Sequence, residues 1–257
     1  MKTNRQDEIL RCVAEVGTLS VEEAAARLEA SAATIRRDFN QLAEANLVER
    51  VRGGIRIVGD QQMVPFAVRE VRQPAEKMAI AQEAATLLAP GNVVFIDGGT
   101  TTLQLASCLP PMPLRIITNS LRLAAAIENR AMNRGLWEVF LTGGFLYSGS
   151  GLLVGPSAQT GLSQYHADWA MLSASSVSTQ GVFNDNEHVV ESERLMIANA
   201  DKVAVLADNT KIGRYAMCHI ASIDKVDVLI TDDHEKNTVL LDEFESAGVD
   251  VLRVEMK

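Results

Sequence analysis

The sequence has few cysteines and no long apolar run, and each scarcity excludes a class of protein. Cys12, Cys108 and Cys218 are the three cysteines of the 257-residue chain. Their wide separation excludes a disulfide framework and a cysteine-ligated zinc cluster. No apolar run approaches the roughly 18–20 residues that a membrane-spanning helix requires, and no signal-peptide pattern opens the chain. These absences predict a cytoplasmic protein without a membrane partner.

Two kinds of ligand-binding signature are also missing. The glycine-rich stretch at residues 97–102 has neither the G-x-G-x-x-G spacing of a dinucleotide site nor the G-K-[ST] ending of a P-loop, which makes NAD and ATP poor candidates. The histidines at positions 166, 188, 219 and 234 show no metal-ligand spacing and are read as ordinary polar residues. We therefore expect no cofactor and no metal site.

Residues 1–58 carry the pattern of three short helices and a β-hairpin. Ser20 and Glu23 form a capping box at the start of the second predicted helix, and Ser31 caps the third. Two short β-like runs within residues 48–57 flank a Gly-Gly pair, which predicts a hairpin. Three helices followed by a hairpin predict a winged helix-turn-helix domain.

The charge of the chain is unevenly distributed. A net charge of −9 argues against nucleic acid binding by the chain as a whole. Residues 31–56, however, hold five arginines and three acids, on the third predicted helix and the hairpin. Arg36 and Arg37 by themselves are more typical of a solvated helix face. Together with the capped helices and the basic hairpin, they predict a segment that binds DNA.

From residue 76 onward, β-like runs alternate with helix-like segments. This alternation predicts a Rossmann-like α/β domain over residues 76–257, with a parallel-dominated sheet between two layers of helices. Residues 59–75 are polar and are interrupted by Pro65 and Pro74, and we read them as a linker between the two domains. The predicted strands are residues 92–97, 115–118, 138–142, 168–172, 203–207, 227–231 and 250–254.

Several predicted strands end in polar or glycine-rich turns. The first is Asp97-Gly-Gly-Thr-Thr-Thr102, whose glycines, hydroxyls and helix-start amides suit a phosphate. Such a turn alone is a weak signal, but similar turns follow at residues 118–120, 142–144 and 208–211, and ligands of such sheets bind beyond the strand ends. Lys211 is a candidate to neutralise a phosphate, and Glu191 is a candidate to bind a hydroxyl-rich ligand.

The segment Ser31-Ala-Ala-Thr-Ile-Arg-Arg-Asp-Phe-Asn-Gln-Leu42, followed by Arg50-Val-Arg-Gly-Gly54, resembles the N-terminal signature of the DeoR/GlpR family of bacterial transcriptional regulators. The resemblance continues through the chain. It implies that the third helix enters the major groove of double-stranded operator DNA and that the wing lies along the duplex. It also implies a homo-oligomer, as a dimer or tetramer. The implied DNA contacts are Ser31, Thr34, Arg36, Arg37, Arg50, Arg52, Gly53 and Gly54.

Asp38 lies within this signature but is expected to be an intradomain partner, because a carboxylate facing phosphate is unfavourable. The C-terminal part resembles the family's sensor domain, which is related to ribose-5-phosphate isomerase and CoA-transferase folds and typically recognises a phosphorylated sugar. Two departures from the family pattern fall near the expected pocket: serine replaces glycine at Ser173 and Ser176, and an acid replaces lysine at Glu193. The effector contacts implied by matching positions are Asp97, Gly98, Gly99, Thr100, Thr101, Thr102, Asn119, Ser120, Gly144 and Lys211.

These patterns predict a regulator, a repressor of a carbohydrate-metabolism operon, that is not an enzyme and whose DNA affinity responds to a phosphorylated sugar. A sugar-phosphate isomerase with an accessory helical domain is the alternative. Asp97 and Glu191 are its candidate bases, but the sequence fixes no second acid–base group. A DNA-binding protein whose sensor domain has lost its ligand is a third reading.

Overall fold

The computed structural model describes residues 2–57, 64–130 and 135–256. Residues 59–63 of the predicted linker lie outside the described residues. The chain divides into two compact units, Met1–Pro74 and Ala75–Lys257. Each unit has its own hydrophobic core, and each is described separately below.

The first unit contains a helix-turn-helix and a small antiparallel sheet. Its strands pair in the order β1-β3-β2, with the β2–β3 hairpin as the wing. The predicted winged helix-turn-helix is therefore confirmed. The elements are α1 (Lys2–Val16), β1 (Thr18–Ser20), α2 (Val21–Arg27), α3 (Ala32–Glu44), β2 (Val48–Val51), β3 (Gly54–Ile57) and α4 (Phe66–Glu70).

The predicted helix caps form in this unit. The Ser20 hydroxyl accepts from the Glu23 backbone N–H at 3.1 Å, and the Glu23 carboxylate accepts from the Ser20 backbone N–H at 3.0 Å. The Ser31 hydroxyl accepts from the Thr34 backbone N–H at 3.2 Å at the start of α3. These bonds satisfy amides that a helix leaves without partners at its N-terminus, so the sequence alone fixes where α2 and α3 begin.

The wing differs from its prediction at the glycine pair. Arg52 and Gly53 form the turn, and Gly53 has a φ of +81°, a value that favours glycine. Gly54 is instead the first residue of β3, where it is buried against β1. A Cβ atom at Gly54 would lie 2.3 Å from the carbonyl oxygen of Leu19, so the glycine is required by this close approach. The sequence pattern missed β1 because it is only three residues long.

Part of the predicted linker is helical. In α4, Phe66 and Val68 are buried, and Val68 belongs to the hydrophobic core of the first unit. The Arg69 guanidinium lies 5.5 Å from the centre of the Phe66 ring. Residues 66–70 are thus an ordered part of the first unit rather than an extended connection.

The second unit alternates strands and helices in sequence, as predicted. Its first half comprises α5 (Pro74–Thr86), β4 (Val93–Ile96), a 3-10 turn (Thr102–Gln104), α6 (Leu105–Cys108), β5 (Leu114–Thr118), α7 (Leu121–Glu128), β6 (Trp137–Leu141), β7 (Phe145–Tyr147), β8 (Leu152–Val154) and α8 (Pro156–Ser163). Its second half comprises β9 (Ala167–Ser173), β10 (Ser176–Ser178), β11 (Gly181–Asn184), α9 (Glu187–Ala198), β12 (Ala200–Leu206), a 3-10 turn (Asn209–Lys211), β13 (Cys218–Ala221), a 3-10 turn (Ile223–Lys225), β14 (Val228–Asp232), a 3-10 turn (Glu235–Asn237), α10 (Thr238–Ser246) and β15 (Asp250–Val254).

Seven strands form a parallel sheet in the order β15-β14-β12-β9-β4-β5-β6. One core packs α5, α6 and α7 on one face of the sheet, and the other core packs α8, α9 and α10 on the opposite face. The predicted three-layer α/β architecture is confirmed. From β4 the chain adds β5 and then β6 on one side of the sheet. It then returns to the other side of β4 and adds β9, β12, β14 and β15 in turn, so the strand order reverses between β4 and β9.

Two small sheets that the sequence pattern missed lie beside the large one. β7 and β8 form an antiparallel hairpin, and Leu152 of β8 forms a bridge with Ser120 after β5. β10, β11 and β13 form a three-stranded antiparallel sheet. The hairpin brings β8 against the strand ends at the reversal point.

Candidate functional site

The outer face of α3 is the candidate DNA-reading surface of the first unit. Its inner side chains Ile35, Phe39 and Leu42 are buried in the core, which fixes the orientation of the helix. Arg36 and Arg37 are exposed on the opposite side. An exposed basic face on the second helix of a helix-turn-helix is the geometry that enters a major groove.

The ion pairs of this unit divide its arginines into two groups. Arg5 pairs with buried Asp38 at 2.6 Å, as expected of an intradomain partner, and Arg56 pairs with Glu49 at 2.6 Å. Within residues 2–57 and 64–130, by contrast, no ion pair neutralises Arg36, Arg37 or Arg52. Their charge is therefore available to phosphates. Arg50 is exposed, and its guanidinium lies 5.6 Å from the centre of the Phe39 ring.

Only some of the eight residues predicted to contact DNA are exposed to solvent. Thr34 is half-buried and bonded to the Ser31 hydroxyl, and Gly54 is buried in β3. Gly54 therefore shapes the wing without being exposed on it. The exposed members are Ser31, Arg36, Arg37, Arg50, Arg52 and Gly53.

The reversal point of the second unit's sheet is its candidate ligand site. Open parallel sheets bind ligands beyond the carboxyl ends of their strands, at the point where the strand order reverses. Asp97 follows β4 here, and Ser173 is the last residue of β9. The Ser173 hydroxyl donates to Oδ2 of Asp97 at 3.0 Å, and both side chains are buried. One departure from the family pattern thus has a structural role.

Gly98 and Gly99 allow neighbouring side chains to close around this turn. A Cβ atom at Gly98 would lie 2.0 Å from a Leu152 methyl group, and one at Gly99 would lie 1.9 Å from the Ser173 hydroxyl oxygen. Both glycines were predicted to allow close approach by a ligand. Their missing side chains also leave room for Leu152 and Ser173.

The three threonines of the turn are buried but differ in bonding. The Thr102 hydroxyl accepts from the Gly99 backbone N–H at 2.7 Å and so closes the turn. The Thr101 hydroxyl has no hydrogen-bond partner among the described residues. Nor does any described acceptor bind the backbone N–H groups of Thr100 and Thr101. Donors from two successive residues are therefore left for a ligand.

Further unpartnered polar atoms come from the neighbouring strand and from α9. Asn119, after β5, is fully buried, and neither its side-chain oxygen nor its nitrogen has a partner in the part of the chain that the structure describes. Its backbone carbonyl accepts from Leu153 of β8 at 2.8 Å. In α9, the buried Ser192 hydroxyl and one carboxylate oxygen of Glu193 also lack partners among the described residues. Sequence reasoning did not identify Ser192 as a candidate.

Glu193 is the second departure from the family pattern, and it is fully buried. Burial raises the pKa of this carboxyl group well above its usual value, and the negative charge of Asp97 raises it further. A hydrogen bond from Asn184 and the charge of Arg194 oppose the shift but are weaker. Glu193 is thus part of the same electrostatic environment as Asp97.

Two lysines supply positive charge at the same edge of the sheet. Lys211 lies 3.8 Å from Asp208, which follows β12, and is only partly exposed. Lys77 of α5 is buried, and its charge also acts on Asp208. Burial by itself would raise the pKa of Asp208, but Lys211, a Thr210 hydrogen bond and Lys77 together hold it below its usual value. Sequence reasoning missed Lys77, which looks like an ordinary first-turn surface residue.

Two sequence-predicted effector residues are not brought into this cluster. Glu191 is exposed and pairs with Arg194 at 2.7 Å on the solvent side of α9. Gly144 is exposed next to the start of α8, with a φ of +116°. The residues gathered around the reversal point are Asp97, Gly98, Gly99, Thr100, Thr101, Thr102, Asn119 and Ser120, with Lys211 at the same edge.

An open cavity of about 440 Å³ lies elsewhere in the second unit. None of the sequence-predicted effector residues lines it, and none of its lining side chains carries one of the buried, unpartnered polar atoms. It is a weaker ligand site than the reversal point for that reason. Its lining residues are Leu141, Thr142, Pro156, Ser157, Thr160, Gly161, Gln164 and Tyr165.

The described residues offer neither a metal site nor a membrane-spanning helix. No group of three or more His, Cys, Asp and Glu side chains there is arranged to hold a metal ion. No helix in residues 2–57, 64–130 and 135–256 is both long and apolar enough to span a membrane.

Both units match protein-family models. Residues 5–61 match the DeoR-like helix-turn-helix domain, and residues 72–233 match the DeoR C-terminal sensor domain. The chain belongs to the DeoR family. Like other DeoR-family members, it is a DNA-binding transcriptional regulator.

The chain is similar over most of its length to named DeoR-family regulators. It is 34% identical over 233 residues to the glycerol-3-phosphate regulon repressor of Escherichia coli K12, and the matched region covers 90% of this chain and 91% of the relative. It is 35% identical to the transcriptional regulator GlpR of Haloferax volcanii, over 98% of each chain. It is also 35% identical to the E. coli K12 repressor CsqR, over 89% of this chain and 87% of the relative. These relatives are regulators and not enzymes, which removes the isomerase alternative.

Solved structures are more distantly similar to this DeoR-family chain. Ribose 5-phosphate isomerase A from Methanocaldococcus jannaschii is 19% identical, covers 53% of each chain and has a TM-score of 0.38. The β subunit of eIF2B from Chaetomium thermophilum is 14% identical, covers 63% of this chain and 49% of that chain, and has a TM-score of 0.43. Similarities this low identify neither a ligand nor an activity.

Proposed function

We propose that this regulator represses a carbohydrate-metabolism operon and that a phosphorylated sugar, bound at the reversal point of the C-terminal sheet, changes its affinity for operator DNA. The observation that carries the ligand part is the set of buried, unpartnered side-chain atoms at that point. Each such atom costs about 1–3 kcal/mol when nothing satisfies it. A folded protein retains several together where a ligand supplies the missing hydrogen bonds.

The chemistry of these atoms favours a sugar phosphate. The side chains of Thr101, Asn119 and Ser192 each carry both donor and acceptor capacity, as do the hydroxyl groups of a sugar. The backbone N–H groups of Thr100 and Thr101 are donors suited to a phosphate, and Lys211 lies at the same edge of the sheet. The name of the E. coli relative refers to glycerol 3-phosphate, a phosphorylated polyol, which supports the same class of effector.

Binding at this site has a conformational consequence. The unpartnered atoms are buried, so a ligand has to displace structure that covers them, and Leu152 of β8 lies directly against Gly98. A ligand that favours one arrangement over another is what allosteric control of DNA affinity requires. We further propose a cytoplasmic homo-oligomer, because helix-turn-helix proteins read paired half-sites.

A thermal-shift panel tests the ligand part of this proposal. Sugar phosphates at millimolar concentration are compared with the matching unphosphorylated sugars and with inorganic phosphate. A micromolar effector at millimolar concentration stabilises the protein by about 4 kcal/mol. Stabilisation by at least one sugar phosphate, and by neither of its controls, is the expected result. No response to any sugar phosphate in a broad panel would contradict the proposal.

A further inference from the structure

The carboxyl group of Glu193 has one satisfied oxygen and one unsatisfied oxygen. Oε1 accepts a hydrogen bond from the Asn184 side-chain nitrogen at 2.7 Å, whereas Oε2 is buried and has no partner among the described residues. One helical turn earlier, Val189 belongs to the same buried apolar cluster as Leu152 of β8, and Leu152 lies against Gly98. Residues four apart share a helix face, so Glu193 lies on the side of α9 that is turned toward the ligand site.

Asp97 and Arg194 are the charged groups that act on Glu193. Asp97 is buried at the end of β4, so its negative charge disfavours an ionised Glu193. Arg194 is directed toward solvent, where it pairs with Glu191 and donates to the His219 carbonyl oxygen of β13. Arg194, the cation that favours ionisation of Glu193, is therefore already engaged by other groups.

Among the described residues, the strands and the helix packed against α9 place no lysine or arginine beside Glu193. α8, β8 and β11 contain no titratable residue. In β9, Asp168 accepts from the Val93 backbone N–H at the opposite end of the sheet. In β12, Asp201 pairs with His166 and Lys202 lies over the Trp169 ring, both far from the strand's carboxyl end. His219 and Cys218 are the titratable residues of β13, and His219 is exposed.

We propose that Glu193 serves the effector as a neutral carboxylic acid whose Oε2–H group donates a hydrogen bond to an uncharged oxygen of the ligand. Because Oε1 accepts from Asn184, the proton belongs on Oε2, which is the oxygen without a partner. Burial and the nearby Asp97 both raise the pKa of Glu193, which agrees with this protonation state. The inference rests on the proposed function and adds to it a specificity residue and the kind of ligand atom that it recognises, a hydroxyl, ring or carbonyl oxygen.

The variant E193Q tests the donor directly, and E191Q is its matched control. Glutamine keeps an oxygen for Asn184 and places an N–H donor where the acid has its O–H. Glu191 is two residues away on the same helix but exposed, so the same change there leaves the site intact. The probe is the sugar phosphate that stabilises the wild-type protein most, and its Kd is measured by calorimetry for all three proteins.

The expected result has a pH signature that a structural role would not produce. At about pH 7, E193Q binds the probe with a Kd within about threefold of the wild-type value. As pH rises above 7, wild type and E191Q lose affinity as the acid ionises, whereas E193Q does not. Titration of the ligand phosphate affects all three proteins equally, so E193Q also corrects for it.

Two results would overturn the inference while leaving the proposed function standing. One is a loss of tenfold or more in E193Q at pH 7 with E191Q unaffected, because an ionised carboxylate would then be the required group. The other is identical pH profiles for wild type and E193Q. An infrared difference spectrum of ligand-free wild type and E193Q gives a second readout, in which the absence of a protonated-carboxyl band at neutral pH also overturns it. Failure of every sugar phosphate to bind wild type overturns the proposed function itself.

Discussion

The Ser173 hydroxyl donates a hydrogen bond to Oδ2 of Asp97 at 3.0 Å, and this bond joins the two halves of the sheet where the strand order reverses. Ser173 also fills the space that Gly99 leaves. The first residue after β4 and the last residue of β9 are thus held together by a buried polar contact rather than by apolar packing. This contact positions the turn that carries the threonines of the proposed site.

The Gly99→Ala substitution is expected to destabilise the second unit. The added Cβ atom would meet the Ser173 side chain, and overpacking of this kind costs about 1–3 kcal/mol. Chemical denaturation measures the loss. Because Ser173→Gly also removes the hydrogen bond to Asp97, the double variant is compared with S173G: in that background Gly99→Ala should cost much less, since the clashing atoms are absent. An equal cost of Gly99→Ala in the wild-type and S173G backgrounds would show that Ser173 is not the source of the loss.

The adjacent Thr101 and Thr102 are expected to respond in opposite ways to valine. Thr101→Val removes a buried hydroxyl without a partner, so the free energy of unfolding should rise by about 1 kcal/mol while sugar-phosphate binding weakens. Thr102→Val removes the hydroxyl that accepts from the Gly99 backbone N–H, so the free energy of unfolding should fall by a similar amount. Denaturation and calorimetry on the two variants check this. A destabilised T101V with unchanged binding would remove Thr101 from the site.

DNA affinity is expected to depend on the arginines without ion pairs. Alanine at Arg36, Arg37 or Arg52 should weaken operator binding, and loss of one phosphate contact should reduce the slope of log K against log salt by about 0.9. Arg56 is the matched control, because Glu49 already neutralises it. Fluorescence anisotropy over a salt series gives both quantities. A larger effect at Arg56 than at the other three positions would contradict the assignment.

The stability of the ligand-free protein is expected to depend on pH through the titration of Glu193. Its pKa is raised in the folded state above the usual value of 4.5, so the folded protein binds more protons than the unfolded chain between the two pKa values. The contribution of Glu193 to stability is greatest below its unfolded-state pKa. This contribution is lost as pH rises through its folded-state pKa. In denaturation experiments, wild type should therefore lose stability relative to E193Q as pH rises from the unfolded pKa through the raised folded pKa. A constant difference would contradict the raised pKa.

Periodicity and caps predicted most of the fold. All seven strands of the parallel sheet and the three helices of the helix-turn-helix were predicted, because apolar runs of strand length and caps such as Ser20–Glu23 are local signals. The short strands β1, β7, β8, β10, β11 and β13 were missed. Each has only three or four residues, which carry little pattern, and β1 and β13 form through pairings that are distant in sequence.

The candidate site was predicted only in part, for similar reasons. Its turns at Asp97 and Asn119 follow from strand-end chemistry, but the sequence does not show that the space beside Gly99 is taken by Ser173, 74 residues later. Glu191 was chosen as a ligand contact, whereas Glu193 is the buried acid. Side chains two positions apart on a helix point in nearly opposite directions. The apolar pattern of α9 is too weak to show which of its sides faces the core.

The most direct test of the account is the operator Kd with and without sugar phosphate, measured by anisotropy on a DNA fragment from the region of the protein's own gene. At least one sugar phosphate should change the Kd by about 5- to 150-fold, the usual range of allosteric coupling. The change should be lost in T101V, which should bind operator as wild type does when no effector is present. An operator Kd that no sugar phosphate in the panel alters would contradict the account.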